Sequence, residues 1–112
     1  MKIALDYDNT YTADPVLWNT FIQAAFQQGH QVFIVTARNE QLDKNETLQQ
    51  LNDAGVRVIY CDGVAKKHIA VMISQHVPDF KIDIWIDDKP ESIFQNSAAT
   101  LEQLVEWRKT RV

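Results

Sequence analysis

The sequence predicts an α/β fold in which helices cover both faces of a parallel sheet of about four strands. Short apolar runs alternate with helical patterns, as in successive β-α units. The run from residue 31 to 36 is almost continuously apolar, which is typical of a strand buried on both faces. Aspartate pairs follow the first and the last apolar run, where α/β sheets bind ligands. One domain, residues 1–112, accounts for the length.

The first β-α unit has clear boundaries in the sequence. Residues 2–6 form the predicted first strand around the apolar run Ile3-Ala4-Leu5. Asp14 is a suitable N-cap, and Pro15 suits the first helical position after it. Gly29 suits the position after the helix end. Between these signals, apolar residues recur at helical spacing: Leu17, Trp18, Phe21, Ile22 and Ala25.

The remaining elements follow from the same patterns. The other predicted strands are residues 31–36, 56–60 and 82–86. A second helix ends at Gly55 and carries Leu48, Leu51 and Ala54. A third helix runs from residue 64 to about 76, with Ile69, Met72 and Ile73 predicted to face inward. A last amphipathic helix covers 97–108, with Leu101, Leu104 and Val105 on one face.

Composition and charge indicate the compartment in which the protein works and the partners that it binds. A net charge of −4 argues against a nonspecific grip on nucleic acid, which needs clustered cations. No apolar stretch approaches the roughly 20 residues of a membrane span. Asp6 interrupts the position where a signal peptide has its apolar centre, and the single cysteine, Cys61, suits a reducing compartment. We therefore expect a cytoplasmic protein without a membrane partner; the oligomeric state does not follow from the sequence.

The two acidic pairs are the first candidate functional residues. Asp6 and Asp8 follow the first strand, and Asp87 and Asp88 follow the fourth. Two like charges about 4 Å apart repel by roughly 4 kcal/mol at an effective dielectric constant near 20. If the pairs meet, they need protons or a hard cation such as Mg²⁺. Alone, Asp6 and Asp8 are equally typical of a capped turn.

Further polar residues follow the other predicted strands. Thr36 and Arg38 come after the second strand, and the pair Lys66-Lys67 opens the helix after the third. Phosphoryl transfer needs a nucleophilic carboxylate, an acid/base, a metal site and donors for the phosphoryl oxygens. Each of these roles has a candidate at one edge of the sheet, which favours this chemistry over a simple turn.

These segments together resemble the haloacid dehalogenase-like hydrolase superfamily. Four motifs occur in the family's order over residues 3–92: Asp6-Tyr7-Asp8-Asn9-Thr10, Val35-Thr36-Ala37-Arg38, a lysine in Ala65-Lys66-Lys67, and Ile86-Asp87-Asp88. The resemblance implies a three-layer Rossmann-like sheet of order 3-2-1-4. Topology rules alone favour a central first strand without fixing that order. No insertion follows Thr10 or Asp62, so the resemblance implies an enzyme without a cap domain.

The resemblance also implies catalytic roles. Asp6 would be the nucleophile that forms an aspartyl-phosphate, and Asp8 the general acid/base. Thr36 would hydrogen-bond the phosphoryl group. Lys66 would neutralise its charge, and Lys67 is the competing candidate for that role.

The same resemblance implies a Mg²⁺ site. Asp88 would be a metal ligand, with Asp87 in support. Asp6 and the main-chain carbonyl of Asp8 would complete the protein's share of the ligands.

Local likeness to polynucleotide 3′-phosphatase domains implies that Arg38 contacts the scissile phosphate. The expected activity is a Mg²⁺-dependent phosphomonoesterase acting on a phosphorylated nucleic-acid end or a small phosphate ester. A noncatalytic binding or regulatory module with the same fold is the alternative. A phosphoacceptor receiver domain, with Asp62 as acceptor, explains neither Asp87 nor Asp88.

Overall fold

A four-stranded parallel sheet forms the centre of the computed structural model, which describes residues 1–96. Its order is β3-β2-β1-β4, so the first strand is central. This confirms the α/β class and the order 3-2-1-4, and no cap domain interrupts the described residues. The strands are β1 (Lys2–Leu5), β2 (Gln31–Thr36), β3 (Arg57–Tyr60) and β4 (Ile84–Ile86).

Four helices and a short 3-10 turn (Tyr11–Ala13) connect the strands or follow them within the described residues. Two helices begin at side-chain caps, because Asp14 accepts from Leu17 N at 3.1 Å and Asn45 accepts from Leu48 N at 3.0 Å. None of the helices within residues 1–96 has the length and apolar character needed to cross a membrane. The helices are α1 (Pro15–Gln27), α2 (Glu46–Asp53), α3 (Lys66–Ser74) and α4 (Glu91–Phe94).

Both faces of the sheet are buried, as the apolar runs predict. Neighbouring residues of one strand point to opposite faces, so Ile3 packs on one side and Ala4 on the other. Each fully buried large apolar side chain contributes about 1.5–3 kcal/mol. One face packs residues of α1 and α2: Ile22, Ala25, Leu48 and Leu51. The opposite face packs residues of α3: Ile69, Ala70 and Ile73.

The structure corrects the sequence prediction in three places. Helix α3 begins at Lys66 rather than at residue 64, because a turn with positive φ at Asp62 and Gly63 precedes it. Met72, predicted to face inward, is 48% exposed on the outer face of α3. Strand β4 begins at Ile84 rather than at residue 82, although Ile82 is still buried in the core. The predicted helix at 97–108 lies outside the described residues.

Candidate functional site

The loops after β1, β2 and β4 enclose a small pocket at the carboxyl edge of the sheet. Its volume is about 150 Å³. All four sequence motifs contribute lining residues, and Ala37 is the one from the motif after β2. Thr36 is fully buried and does not line the pocket. The lining residues are Asp6, Asp8, Asn9, Ala37, Lys66, Asp87, Asp88, Lys89 and Ser92.

Lys66 is buried in the wall of this pocket and joins the two acidic segments. Its Nζ donates to Asp6 Oδ1 at 2.7 Å and also to Asp87 Oδ2, while only 3% of the residue is exposed. The neighbouring Lys67 is exposed, and its Nζ lies 5.6 Å from the centre of the Phe94 ring. The first turn of α3 therefore presents Lys66, and not Lys67, to the acidic side chains.

Burial and charge act in opposite directions on Asp6 and Lys66. Burial raises the pKa of Asp6 to about 6, although the Lys66 ammonium opposes this shift. Burial lowers the pKa of Lys66, but its hydrogen bonds to Asp6 and Asp87 outweigh burial and raise that pKa above its ordinary value. Lys66 is therefore a permanent cation, whereas protonation of Asp6 responds to its surroundings.

Thr10 connects the acidic pair of β1 with that of β4, a link that sequence reasoning missed. Its Oγ1 lies within donating distance of Asp6 Oδ2 and of Asp88 Oδ1, at 3.3 Å from each. Asp88 N donates back to Thr10 Oγ1 at 3.2 Å. One hydroxyl carries one hydrogen, so it serves one of the two carboxylates at a time. The motif contains Thr10, but its partner is 78 residues away in the sequence.

Asp87 and Asp88 differ in the number of hydrogen bonds that their carboxylate oxygens already accept. Asp87 accepts from Lys66, from Ser92 Oγ at 3.1 Å and from Lys89 N at 2.9 Å. Among the described residues, the Asp88 carboxylate accepts only from Thr10. An ionised carboxylate has about four acceptor positions, so Asp88 keeps more capacity for a further ligand.

Three carboxylates of the pocket can hold a cation together. Asp6, Asp87 and Asp88 each offer an oxygen within 4.8 Å of the others. Carboxylates are hard oxygen ligands of the kind that Mg²⁺ prefers. When all three are ionised, they and the Lys66 ammonium leave a net charge of −2, which a divalent cation would neutralise. The donor set therefore fits Mg²⁺.

Asp8 stands apart from these three carboxylates because Arg38 holds its side chain. Arg38 Nε and Nη2 donate to the two oxygens of Asp8 at 2.9 and 2.8 Å. The hydrogen bond to Asp8 raises the pKa of Arg38. The guanidinium carbon also lies 5.4 Å from the centre of the Tyr7 ring. The ion pair is partly exposed, and of its two residues Asp8 lines the pocket. The metal-binding role of the Asp8 carbonyl stays a prediction.

Thr36 and Asn9, two further residues of the motifs, determine the backbone conformation around the pocket. Thr36 Oγ1 accepts from Arg38 N at 3.2 Å and so fixes the loop that leaves β2. Asn9 has a φ of 62°, in the left-handed region that asparagine tolerates better than most residues.

Residues outside the pocket have structural roles. Cys61 is buried against α3, and burial raises the pKa of its thiol to about 12, so the thiol stays protonated. Asp62, the receiver-type alternative, follows β3 but does not line the pocket.

Comparisons of the chain with protein-family models, curated proteins and solved structures give no match. The fold and the site by themselves define an α/β protein with an acidic, lysine-bridged pocket at the carboxyl edge of its parallel sheet.

Proposed function

We propose that this protein is a Mg²⁺-dependent phosphomonoesterase of the haloacid dehalogenase-like kind, without a cap, that works through an aspartyl-phosphate. The observation that carries the proposal is the bridge from Lys66 to Asp6 and Asp87 inside an open pocket. A phosphate ester is an anion, and its approach to carboxylates requires fixed positive charge of this kind.

Asp6 is the nucleophile of the proposed reaction. Its Oδ1 accepts from Lys66 at 2.7 Å, and Oδ2, which has the longer contact of 3.3 Å with Thr10 Oγ1, is the oxygen that attacks the phosphorus. The new bond joins Oδ2 to phosphorus, and the bond from phosphorus to the leaving oxygen breaks. Asp8 donates a proton to that oxygen. In the second step Asp8 removes a proton from water, which attacks the phosphorus and releases Asp6 and inorganic phosphate.

The metal role is assigned to Asp6, Asp88 and the main-chain carbonyl of Asp8, with Asp87 in support. The spare acceptor capacity of Asp88 supports this choice, because Asp87 already accepts from three donors. When bound, Mg²⁺ would neutralise carboxylate and phosphoryl charge. Thr10 and Lys66 hold the carboxylates in position around that place.

Arg38 is the further donor of the proposed phosphoryl site, and Thr36 supports it. Arg38 has a planar fork of donors, which suits two oxygens of one phosphoryl group as well as the two oxygens of Asp8. Arg38 can exchange Asp8 for a phosphoryl group at a small cost in free energy, because partly exposed ion pairs contribute about 1 kcal/mol or less. An Asp8 released by Arg38 is then available to carry the proton of a general acid. Thr36 supports Arg38 through its backbone.

Hydrolysis of p-nitrophenyl phosphate, with and without Mg²⁺, tests the proposal. We expect Mg²⁺-dependent release by the wild type and by the control Asp79→Asn, which changes an exposed aspartate outside the pocket. Asp6→Asn should keep the fold and lose turnover. A substantial rate in Asp6→Asn would remove Asp6 as nucleophile. If the wild type releases nothing from any ester, Mg²⁺-dependent binding of vanadate would point to a noncatalytic module instead.

A further inference from the structure

A second, larger groove lies at the same edge of the sheet as the acidic pocket. Its volume is about 920 Å³, within the range of about 300–1,000 Å³ for small-molecule sites. The loop after β2, the start of α2 and the end of β3 form its walls. Its lining residues are Glu40, Gln41, Lys44, Asn45, Glu46, Gln49 and Tyr60.

Contacts between side chains connect the groove to the proposed catalytic pocket. Tyr7 donates its hydroxyl to Asn45 Oδ1 at 3.2 Å, so the residue beside the nucleophile touches the groove wall. The Arg38 guanidinium lies over the Tyr7 ring and holds Asp8. Burial is the largest cause that raises the pKa of Tyr60, and the charge of Glu40 raises it further. The charge of Arg38 lowers this pKa, so Arg38 is close enough to act on Tyr60. Arg38 therefore contacts Asp8, which lines the pocket, and is linked through Tyr7 to Asn45, which lines the groove.

The charged side chains that line the groove disfavour a highly anionic ligand. Two carboxylates, Glu40 and Glu46, outnumber the single ammonium of Lys44. A strand of nucleic acid, with a phosphate at every nucleotide, would meet net repulsion there. Hydroxyl and amide groups would instead find donors and acceptors on Gln41, Asn45 and Gln49. Among the described residues that line the groove, Tyr60 alone is aromatic, and its half-buried ring offers a face on which another ring can stack.

We propose that this groove binds the leaving group of the substrate, a polar uncharged alcohol of sugar or nucleoside size. The inference rests on the proposed phosphatase function and deepens it, because it selects a small phosphate ester over a phosphorylated nucleic-acid end. The phosphoryl group occupies the acidic pocket beside Arg38. The alcohol extends past Arg38 along Tyr60 and Asn45.

A substrate panel with four proteins tests the proposal. The panel contains methyl phosphate, p-nitrophenyl phosphate, sugar phosphates, nucleoside monophosphates and a 3′-phosphorylated oligonucleotide. The proteins are the wild type, Tyr60→Ala, Glu40→Lys and the control Phe26→Ala, which removes a part-exposed aromatic ring that lines neither the groove nor the pocket. The measured quantity is kcat/KM for each substrate.

We expect the wild type to prefer a sugar or nucleoside ester over the oligonucleotide. Tyr60→Ala should lower kcat/KM for the preferred ester about tenfold or more, the size expected when a stacked ring is lost. It should leave methyl phosphate, whose leaving group is too small to stack on the ring, within about twofold, and Phe26→Ala should change neither. Reversal of charge in Glu40→Lys should raise kcat/KM for the oligonucleotide relative to the small esters.

Two results would overturn the groove assignment while the phosphatase function stands. One is a wild type that prefers the oligonucleotide to every small ester. The other is a Tyr60→Ala that affects all substrates equally or none. Absence of any Mg²⁺-dependent hydrolysis sensitive to Asp6→Asn would instead refute the proposed function. In that case, binding of the same esters to the wild type and to Tyr60→Ala tests the groove assignment. Equal binding by the two proteins, or no binding by the wild type, would refute it.

Discussion

Arg38 holds the carboxylate of Asp8 through two hydrogen bonds, at 2.9 and 2.8 Å, and thereby joins the loop after β2 to the loop after β1. The pair is partly exposed, with 33% of the Arg38 side chain and 47% of the Asp8 side chain accessible. An anion that enters the pocket competes with Asp8 for the same fork of donors. The two residues therefore form an exchangeable contact rather than a structural one.

Replacement of Arg38 by alanine should weaken substrate binding more than it weakens the fold. We expect KM for p-nitrophenyl phosphate to rise about tenfold to a hundredfold, since hydrogen bonds to charged groups contribute about 1.5–3 kcal/mol. The melting temperature should change little, because the ion pair is exposed to solvent. Arg57→Ala, at the other end of the sheet, is the matched control. An unchanged KM in Arg38→Ala would remove Arg38 from the phosphoryl site.

Loss of Lys66 should destabilise the protein, whereas loss of Lys67 should not. Lys66→Ala leaves the buried Asp6 and the partly buried Asp87 without their shared cation, which we expect to lower the free energy of unfolding by about 3 kcal/mol. Lys67→Ala removes an exposed side chain that only approaches the Phe94 ring. Urea unfolding of both variants at neutral pH, without Mg²⁺, measures the difference. Equal destabilisation by the two variants would contradict the buried bridge.

The raised pKa of Asp6 predicts a stability that falls with pH in the metal-free protein. The unfolded chain loses this proton near pH 3.8 and the folded protein near pH 6, so the folded state binds more protons between these values. The contribution of Asp6 is therefore complete below about pH 4 and is lost above about pH 6. The shift corresponds to about 3 kcal/mol.

Asparagine does not titrate, so Asp6→Asn isolates this contribution. We expect the free energy of unfolding of the wild type, relative to Asp6→Asn, to fall by up to about 3 kcal/mol between pH 4 and pH 7. Denaturant titrations at several pH values in the presence of a chelator measure it. A difference that stays constant with pH would show that the surroundings of Asp6 do not raise its pKa.

Mg²⁺ should stabilise the folded protein at neutral pH. Binding to the folded state alone contributes about 2.7 kcal/mol when free Mg²⁺ is a hundred times its dissociation constant. Asp88→Asn should abolish most of this gain, Asp87→Asn should retain more of it, and Asp79→Asn should behave as the wild type. Thermal unfolding with Mg²⁺ and with a chelator measures each gain. The reverse order of Asp87 and Asp88 would exchange their roles.

The sequence predicted those features that depend on local pattern. The second strand was predicted with its observed bounds, Gln31–Thr36, because burial on both faces leaves a continuous apolar run. Helix α1 begins at Pro15 behind its Asp14 cap, as the capping signals indicate. The prediction for Met72 was wrong. The apolar residues of the nine-residue helix α3 extend further around the helix than the side that packs on the sheet, and Met72 lies outside that side.

Features that depend on distant partners did not follow from the sequence. The contact of Thr10 with Asp88 requires β1 and β4 to be neighbours, which no local pattern encodes. The residue before α3 is likewise held by a distant partner, since Ala65 N donates to Asn96 Oδ1 at 2.9 Å. The pair of Arg38 and Asp8 also joins two loops, so spacing along the chain gave no sign of it.

The pairing of β1 with β4 has a consequence for synthesis of the chain on the ribosome. The strand that covers one edge of residues 2–5, Ile84–Ile86, is made about 80 residues after them. The nascent chain must therefore carry an open edge of its central strand, which is an aggregation hazard, until Ile84–Ile86 has been made. Asp87 and Asp88 follow that strand directly. The acidic pocket is accordingly assembled only when the sheet closes, and a nascent chain that ends before Ile84 should have neither the complete sheet nor any capacity to bind Mg²⁺ there.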